Sequence, residues 1–463
     1  MTAASDRHVT QIALNRFGLG VRPDEAVPGE PKAWLLAQFD RYVAAAPAWA
    51  GEPASAPLLA AYGEALRNLR QANAGNEQAT RKQLAEQALE RYRSAVNARL
   101  VSALTTPAPF VERLVHFWAN HFAVSTDKNP LGILAGAFEA EAIRPHVLGR
   151  FEDMLLAVER HPAMLLYLDQ ARSTGPASAL ARRAAFANPQ RPRGLNENLA
   201  REILELHTLG VRSGYDQSDV TELARALTGW SIGGLPGVPP AGAPGSFAFH
   251  PMMHEPGART VLKTRYEPAG EAQAQAILHD LAVAPATAQH IAHKLARHFV
   301  ADTPPPALVQ RLADAFVHNR GDLPAVYRAL IASPEAWSEQ PPKFKTPWEW
   351  TVSLLRGLNR VETGGVLYAP VLTQLGQPVW RPGSPAGYDD VADSWAAPDS
   401  LMRRIEFAQR VGARAGDAID ARALGPQLVP TGLSEGTERA LARADSAASA
   451  LALLLVSPEF LRR

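Results

Sequence analysis

The sequence predicts a mostly α fold: one large multi-helix domain over residues 1–463, with a short β-hairpin and long Pro/Gly-rich loops. In most segments apolar residues recur at three- and four-residue steps, which is the spacing of one face of a helix. Two-residue alternation, which is typical of a strand, is confined to residues 247–262. Proline and glycine cluster between these segments and indicate the connections.

Taken in order, the chain divides into four subregions. Residues 1–170 hold the N-terminal helices, including a long charged amphipathic helix at 76–105. Residues 171–195 form a loop with five arginines and no acid, which is a mobile flap, a charge-compensating wrap or a solvated loop. Residues 196–300 hold the central helices and the candidate site, and residues 301–463 hold the C-terminal helices.

The second half also contains the predicted hairpin and an aromatic loop. Residues 247–249 alternate like a first strand and residues 260–262 like its partner, whereas residues 231–246 are too rich in glycine and proline to be regular. The loop at 376–395 alternates aromatic and acidic residues: Trp380, Tyr388, Asp389, Asp390, Asp393 and Trp395. Such a loop stacks a sugar or an aromatic side chain, or it plugs a helical core. The plug is the favoured interpretation.

Composition excludes several functional classes. Lys+Arg 47 against Asp+Glu 46 gives a net charge of +1, so there is no general electrostatic attraction to nucleic acid. The chain has no cysteine, which excludes disulfides, zinc–thiolate sites and cysteine nucleophiles. No signal peptide and no apolar run of membrane-spanning length is visible. We therefore expect no membrane span, no nucleic-acid partner and a cytoplasmic location, unless a partner carries the chain out.

The stretch NENLAREILELHTLG, residues 196–210, is the best functional clue. It predicts a helix between an N-cap at Asn196 and a terminal Gly210. Its core-facing stripe consists of Leu199, Ile203, Leu206 and Leu209. Glu202 and Glu205 lie one turn apart on the same face, so they repel unless an arginine, a shared proton or a metal ion lies between them. We expect both carboxylates to be substantially buried and compensated.

A divalent metal centre follows as the sharpest hypothesis. Zinc, iron, copper and manganese sites in helical proteins combine imidazoles with carboxylates that project inward from facing helices. The predicted metal ligands are His121, His254, Glu202 and Glu205. Glu202, Glu205 and Asp169 are the predicted catalytic acid–base groups, and Glu197 and His250 are second choices. If this site forms, His121, His254 and Glu202 should lie within about 5 Å of a common point.

Each of these residues also has a structural interpretation. Glu202 and Glu205 pair with Arg201, Arg225 or the basic loop in an ion network without catalysis. His121 is then a core histidine that caps a carbonyl group. The three histidines at 290, 293 and 298 lie on a basic helix, and we expect solvent or helix-dipole roles for them. No metalloprotease, EF-hand, nucleotide-binding or serine-hydrolase motif is present.

With these residues in view, the chain resembles a bacterial family known as domain of unknown function number 1800. The resemblance covers nearly the whole chain and rests on segments 14–18, 112–125, 161–170, 196–210, 219–230, 254–257 and 376–388. Two residues depart from the family pattern: Gln170 stands where it implies Asn, and His116 stands where it looks apolar. The resemblance implies a largely helical fold and brings no established activity.

The resemblance also implies a partner and a route of export. Genes of this family often lie beside those of a family that looks like a sulfatase or alkaline phosphatase and bears a twin-arginine export signal. A chain without its own signal would then leave the cytoplasm folded, together with that sulfatase- or phosphatase-like protein.

Three functional hypotheses remain. The first is a metal-assisted hydrolase or oxidase, in which the metal acidifies a bound water. Without a metal, the same groups would serve proton transfer, with a carboxylate orienting an imidazole. The second is a non-catalytic binding or maturation partner of the exported sulfatase/phosphatase-like protein. The third is a purely structural helical scaffold.

Overall fold

Amphipathic helices build the fold, as the periodicity predicts. The computed structural model describes residues 3–26, 28–71, 74–187, 194–339 and 343–463. In its first part the α-helices are Ala3–Gln11, Pro31–Leu36, Gln38–Arg41, Ser55–Gln71, Ala74–Thr105, Pro109–His121, Leu131–Phe138, Phe151–Arg160, Pro162–Tyr167 and Ala179–Ala187. The long charged helix predicted at 76–105 is confirmed with an earlier start.

Helices also dominate the second part. They are Asn198–Glu202, Gln217–Leu227, Glu271–Ala282, Pro285–Phe299, Pro306–His318, Leu323–Ala332, Pro347–Gly357, Tyr368–Gln374, Ala392–Trp395, Pro398–Ala415, Ala421–Leu428, Glu435–Ala442 and Ala447–Leu455. Short 3₁₀ turns lie at Pro47–Trp49, Arg144–His146, Gln170–Arg172, Pro334–Trp337 and Gly416–Ala418. Many helices begin at a proline, whose missing N–H has no intrahelical partner at that position anyway.

Three helices widen into π-helical segments, at Ile12–Phe17, Glu139–Ile143 and Ile203–His207. The last of these is the second half of the predicted central helix, which begins at Asn198. The N-cap residue is Glu197, one position after the predicted Asn196, and its side chain makes no capping hydrogen bond. The Asn196 side chain accepts a hydrogen bond from the Asn198 N–H at 2.8 Å. Gly210 ends the helix with φ +91°, a conformation that glycine adopts without steric cost.

The central helix lies in the hydrophobic core. Leu199, Ala200 and Ile203 are fully buried, in a contiguous apolar cluster whose members run from Ile12 to Leu461. Leu206 departs from the predicted stripe and lies at the edge of a cavity. The wider π-helical turn explains this departure, because it shifts the side chains that follow away from the 3.6-residue spacing.

The predicted hairpin is wrong in its pairing. Strand Phe247–Phe249 pairs antiparallel with Trp230–Ile232, and Arg259–Val261 pairs antiparallel with Thr264–Tyr266. The second turn consists of Leu262 and Lys263, both with positive φ, so it lacks the glycine or asparagine that marks such turns in a sequence. The sequence pattern did not reveal strand Trp230–Ile232, because this strand directly precedes a Gly/Pro-rich segment.

The basic loop is more regular than predicted. Residues 171–195 contain the helix Ala179–Ala187, on which Arg182 donates two hydrogen bonds to the Ala177 carbonyl, at 2.9 and 2.7 Å. Arg191 and Arg193 lie outside the described residues. Among the helices that the structure describes, none combines the length and hydropathy needed to cross a membrane.

Candidate active site

A cavity of about 350 Å³ lies between helix Pro109–His121 and helix Pro285–Phe299. The aromatic loop covers it. Ionisable and amide side chains make up much of its wall: Arg99, Arg113, His116, Asn120, His121, His290, His293, Lys294, Arg297, His298, Glu349, Gln377, Asp389 and Asp390. A volume of this size suits a small molecule.

Helical spacing explains why these side chains share a wall. On helix Pro109–His121 the residues at 113, 116, 117 and 120 follow three- and four-residue steps and line the cavity, while Leu114 and Trp118 are fully buried. On helix Pro285–Phe299 the residues at 290, 294 and 298 follow four-residue steps. The neighbouring stripe of that helix, at 291, 295 and 299, packs in the core.

His298 and Asp390 form a hydrogen-bonded pair in the cavity wall. The Nδ1 atom of His298 contacts the Oδ2 atom of Asp390. Burial lowers the pKa of His298, and Asp390 opposes this without reversing it. Burial raises the pKa of Asp390, but His298 and Lys343 outweigh it, so the Asp390 pKa lies well below its ordinary value. A neutral imidazole therefore donates its Nδ1–H to a carboxylate, which leaves the lone pair on Nε2.

The Nε2 atom of His298 is buried and has no hydrogen-bond partner among the described residues. Buried polar atoms in folded proteins nearly always have a partner, so an unsatisfied one beside a cavity indicates a position for a water molecule or a ligand. The side chain of His298 keeps 12% exposure.

His121 and His290 form hydrogen bonds to backbone carbonyls at the end of the central helix. The Nε2 atom of His121 lies 3.1 Å from the His207 carbonyl oxygen, and that of His290 lies 3.0 Å from the Leu206 carbonyl oxygen. Burial lowers the pKa of His121 well below its ordinary value and that of His290 to about 4. Both rings are thus neutral and donate through Nε2, and the buried Nδ1 atom of His121 has no partner among the described residues.

Ion pairs stabilise the side chains of the cavity wall. Glu349 contacts Arg113 and lies 3.0 Å from the guanidinium of Arg463. Burial raises the pKa of Glu349, but Arg463 and Arg113 outweigh it and lower the pKa to about 2. Lys343 and Arg463 also lie within 4 Å of Asp390. The acids of this network are therefore ionised and matched by cations.

The aromatic loop packs into the protein, as the plug interpretation expects. Trp380 and Trp395 are buried, and the Trp380 indole donates a hydrogen bond to Glu139 at 3.0 Å. Asn120 binds the backbone of Tyr388 twice, accepting from its N–H at 2.7 Å and donating to its carbonyl at 2.9 Å. At Gly387 a side chain would lie 2.3 Å from the Asn120 carbonyl oxygen, so only glycine allows this close approach.

The two predicted glutamates lie outside the cavity wall. Glu202 is half-buried, burial raises its pKa, and it forms no hydrogen bond or ion pair with the described residues. Glu205 is also half-buried and pairs with Arg201 at 3.4 Å, as predicted. Glu197 accepts hydrogen bonds from Thr221 and Gln217. Burial of Glu202 and Glu205 is less complete than expected, and only Glu205 is compensated by an ion pair among the described residues.

Among the other predicted residues, only His121 lies at the cavity. Asp169 is exposed and pairs with Lys128 at 2.7 Å. The Nδ1 atom of His254 lies 2.9 Å from the Thr228 carbonyl oxygen, and His250 is buried in the same segment. Within the described ranges, no three His, Cys, Asp or Glu side chains are grouped to hold a metal ion. The expected convergence of His121, His254 and Glu202 on a common point is therefore wrong.

Sequence reasoning missed His298, Lys294 and Asp390. The expectation of solvent or helix-dipole roles is wrong for His290 and His298, because each is bound to a partner at the cavity. The four-residue steps from 290 to 298 beside an apolar stripe were the available signal. The neighbouring His293 and Arg297, which are exposed, concealed it by making the helix look basic all round.

A family model described as Protein of unknown function (DUF1800) matches residues 12–462. No curated protein and no solved structure matches the chain. Several segments that carry the resemblance also line the cavity: 112–125, 196–210 and 376–388.

Proposed function

The chain belongs to the DUF1800 family, proteins of unknown function, and we propose that it is a hydrolase whose active site is this cavity. The observation that carries the proposal is the His298–Asp390 pair. A neutral imidazole held by a partly buried carboxylate, with its second nitrogen unpartnered beside a cavity, is the arrangement of a general base. No cavity-lining serine or cysteine competes as a protein nucleophile.

In the proposed reaction, the Nε2 atom of His298 accepts a proton from a water molecule. The water oxygen forms a bond to the electrophilic carbon of a small ester or amide. Asp390 stabilises the imidazolium that results, since its carboxylate is ionised. The imidazolium then returns the proton to the leaving group as the carbon–oxygen or carbon–nitrogen bond breaks.

The test is substrate consumption by His298→Gln. Small-molecule extracts are incubated with the wild type and the variant, and consumed compounds are identified by mass spectrometry. We expect the rate of consumption to fall by about 10²- to 10⁴-fold, the usual contribution of a general base. His318→Gln is the matched control, since His318 is exposed and contacts only the Asp314 carbonyl of its own helix. Equal consumption by wild type and His298→Gln would overturn the proposal.

A metal-assisted form of this hydrolysis is tested on the same proteins. His121 is the predicted metal ligand that lies at the cavity, and its Nδ1 atom carries a free lone pair. Stoichiometric metal in the purified wild type that is lost in His121→Ala would support a divalent ion there. Equal metal content in both proteins would refute this role for His121.

A second candidate function is binding to another protein. Phe186 is 94% exposed on helix Ala179–Ala187, beside Arg182 and Arg183, and an exposed aromatic with arginines is typical of a binding surface. The partner class implied by the resemblance is a sulfatase- or phosphatase-like protein with an export signal, which would carry this chain to the periplasm. Co-expression with such a partner, followed by fractionation and pull-down, tests this binding. Phe186→Ser should reduce the amount of partner that the chain pulls down, and an unchanged amount would count against this surface.

A further inference from the structure

The buried charges around the cavity are paired, with the exception of Lys294. Arg297 and Asp389 also line the cavity without an ion pair among the described residues, but both are exposed. Glu349 and Asp390 are matched by Arg113, Arg463 and Lys343. On the opposite wall Arg99 pairs with Glu139 at 2.7 Å. Lys294 differs, because it lines the cavity and forms no hydrogen bond or ion pair with the described residues.

A cation without a counterion in a partly buried position is unfavourable on its own. Burial lowers the pKa of Lys294 to about 8, with Asp390 opposing and Arg297 adding to the decrease. The neighbouring imidazoles do not supply a counter-charge, since His290 and His298 are neutral. Lys294 therefore keeps most of its positive charge at neutral pH. Asp390 attracts this charge without forming an ion pair, which leaves a position beside the ammonium for an anionic ligand.

We infer that the ligand of this cavity carries an anionic group, a carboxylate or a phosphate, that binds to the ammonium of Lys294. This inference rests on the proposed function for the location of the substrate and adds its chemical class. The cavity of about 350 Å³ limits the ligand to a small metabolite.

The experiment uses inorganic phosphate and acetate as separate probes on the full chain. Binding is measured by calorimetry and by thermal unfolding at constant ionic strength, with chloride as the reference anion. We expect one probe to bind and to raise Tm, and the stronger probe identifies phosphate or carboxylate as the ligand class. Lys294→Gln should weaken binding at least tenfold, and Lys294→Arg should retain it. Lys82→Gln, at an exposed lysine, is the matched control.

Protection from acetylation supplies a readout that needs no variant. The chain has seven lysines, and limiting acetic anhydride followed by mass spectrometry reports the reactivity of each. The bound anion should slow acetylation of Lys294 and leave Lys82 unchanged. Failure of both probes to bind the wild type, or equal binding by Lys294→Gln, would overturn the inference.

The two proposals fail separately. His298→Gln should still bind the anion, because Lys294 is intact. If His298→Gln loses substrate consumption but neither probe binds the wild type, the hydrolase proposal stands and the anionic ligand class is wrong. If a probe binds through Lys294 but His298→Gln consumes substrate normally, the ligand class stands and the role of His298 is wrong.

Discussion

Three histidines around the cavity each have one ring nitrogen committed to an oxygen atom. Backbone carbonyls hold His121 and His290, whereas a carboxylate holds His298. The difference has a chemical consequence, because an ionised carboxylate stabilises the protonated ring much better than a neutral carbonyl does. Among these rings, His298 is therefore the one suited to take up a proton during a reaction.

The neutral histidines predict acid sensitivity. In the unfolded chain a histidine binds a proton near pH 6.5, whereas His290 in the folded chain does so at about 4. Between these values the unfolded state binds more protons, so the free energy of unfolding falls as the pH decreases. We expect His290 to account for a loss of about 2 kcal/mol between pH 7 and pH 5.

Urea unfolding at pH 7, 6 and 5 checks this expectation. His290→Gln, whose amide N–H can still donate to the Leu206 carbonyl, should show a shallower decline than the wild type. His279→Gln is the control, since His279 is 43% exposed and pairs with Glu152. Equal slopes for the wild type and His290→Gln would show that His290 is not the group responsible.

At the scale of elements, the cavity depends on how closely helices approach one another. Helix Leu131–Phe138 packs on helix Ala74–Thr105 with Gly136 at the contact. A methyl group at Gly136 would lie 2.5 Å from the Ala95 side chain and 3.6 Å from the Trp380 ring. Since Trp380 belongs to the aromatic loop, this helix contact also supports the cover of the cavity.

Two alanine substitutions in one helix should have opposite effects. Gly136→Ala forces the two helices apart and should lower the free energy of unfolding by about 1–3 kcal/mol, as overpacking usually does. Gly132→Ala meets no atom within 4 Å and should stabilise the helix by up to about 1 kcal/mol. Chemical denaturation of both variants measures the difference. A neutral Gly136→Ala would mean that the contact is looser than the structure shows.

At the scale of the whole molecule, the cavity wall joins parts of the chain that are far apart in sequence. Arg113 contacts Glu349 across 236 positions and also donates to the Gly18 carbonyl at 2.7 Å. The Arg463 guanidinium also pairs with Glu349. The backbones of Arg463 and Lys343 exchange two hydrogen bonds, from Lys343 N to Arg463 O at 3.0 Å and from Arg463 N to Lys343 O at 2.8 Å. The buried ion pairs thus couple the cavity to the stability of the entire fold.

Arg463→Gln should therefore be costly. It leaves Glu349 and Asp390 without one of their cations, and breaking a buried ion pair from one side costs about 3–5 kcal/mol. Arg462→Gln is the matched control, because the neighbouring Arg462 is exposed and bonds only to the Pro458 carbonyl. Thermal unfolding should show a large decrease in Tm for Arg463→Gln alone. Equal decreases would contradict the importance of the buried pairs.

Local interactions made much of the fold predictable. The glycine at 210 acts within a few residues, and it follows the central helix where the sequence places it, with φ +91°. Helical periodicity also identified the buried central helix. The strand pairings were less predictable from the sequence, because an irregular segment separates Trp230–Ile232 from its partner Phe247–Phe249.

By itself, the sequence determined the helical fold class and the position of a buried helix within segment 196–210. Only the tertiary structure decided which polar groups meet. His298 and Asp390 are 92 positions apart, and nothing in the spacing of either residue indicates the other. The charges of Glu202 and Glu205 drew attention to the carboxylates of the central helix. The helix instead contributes the Leu206 side chain and two backbone carbonyls that bind histidines of the cavity wall. Every residue has a carbonyl, so its role depends on the packing that brings a histidine to it.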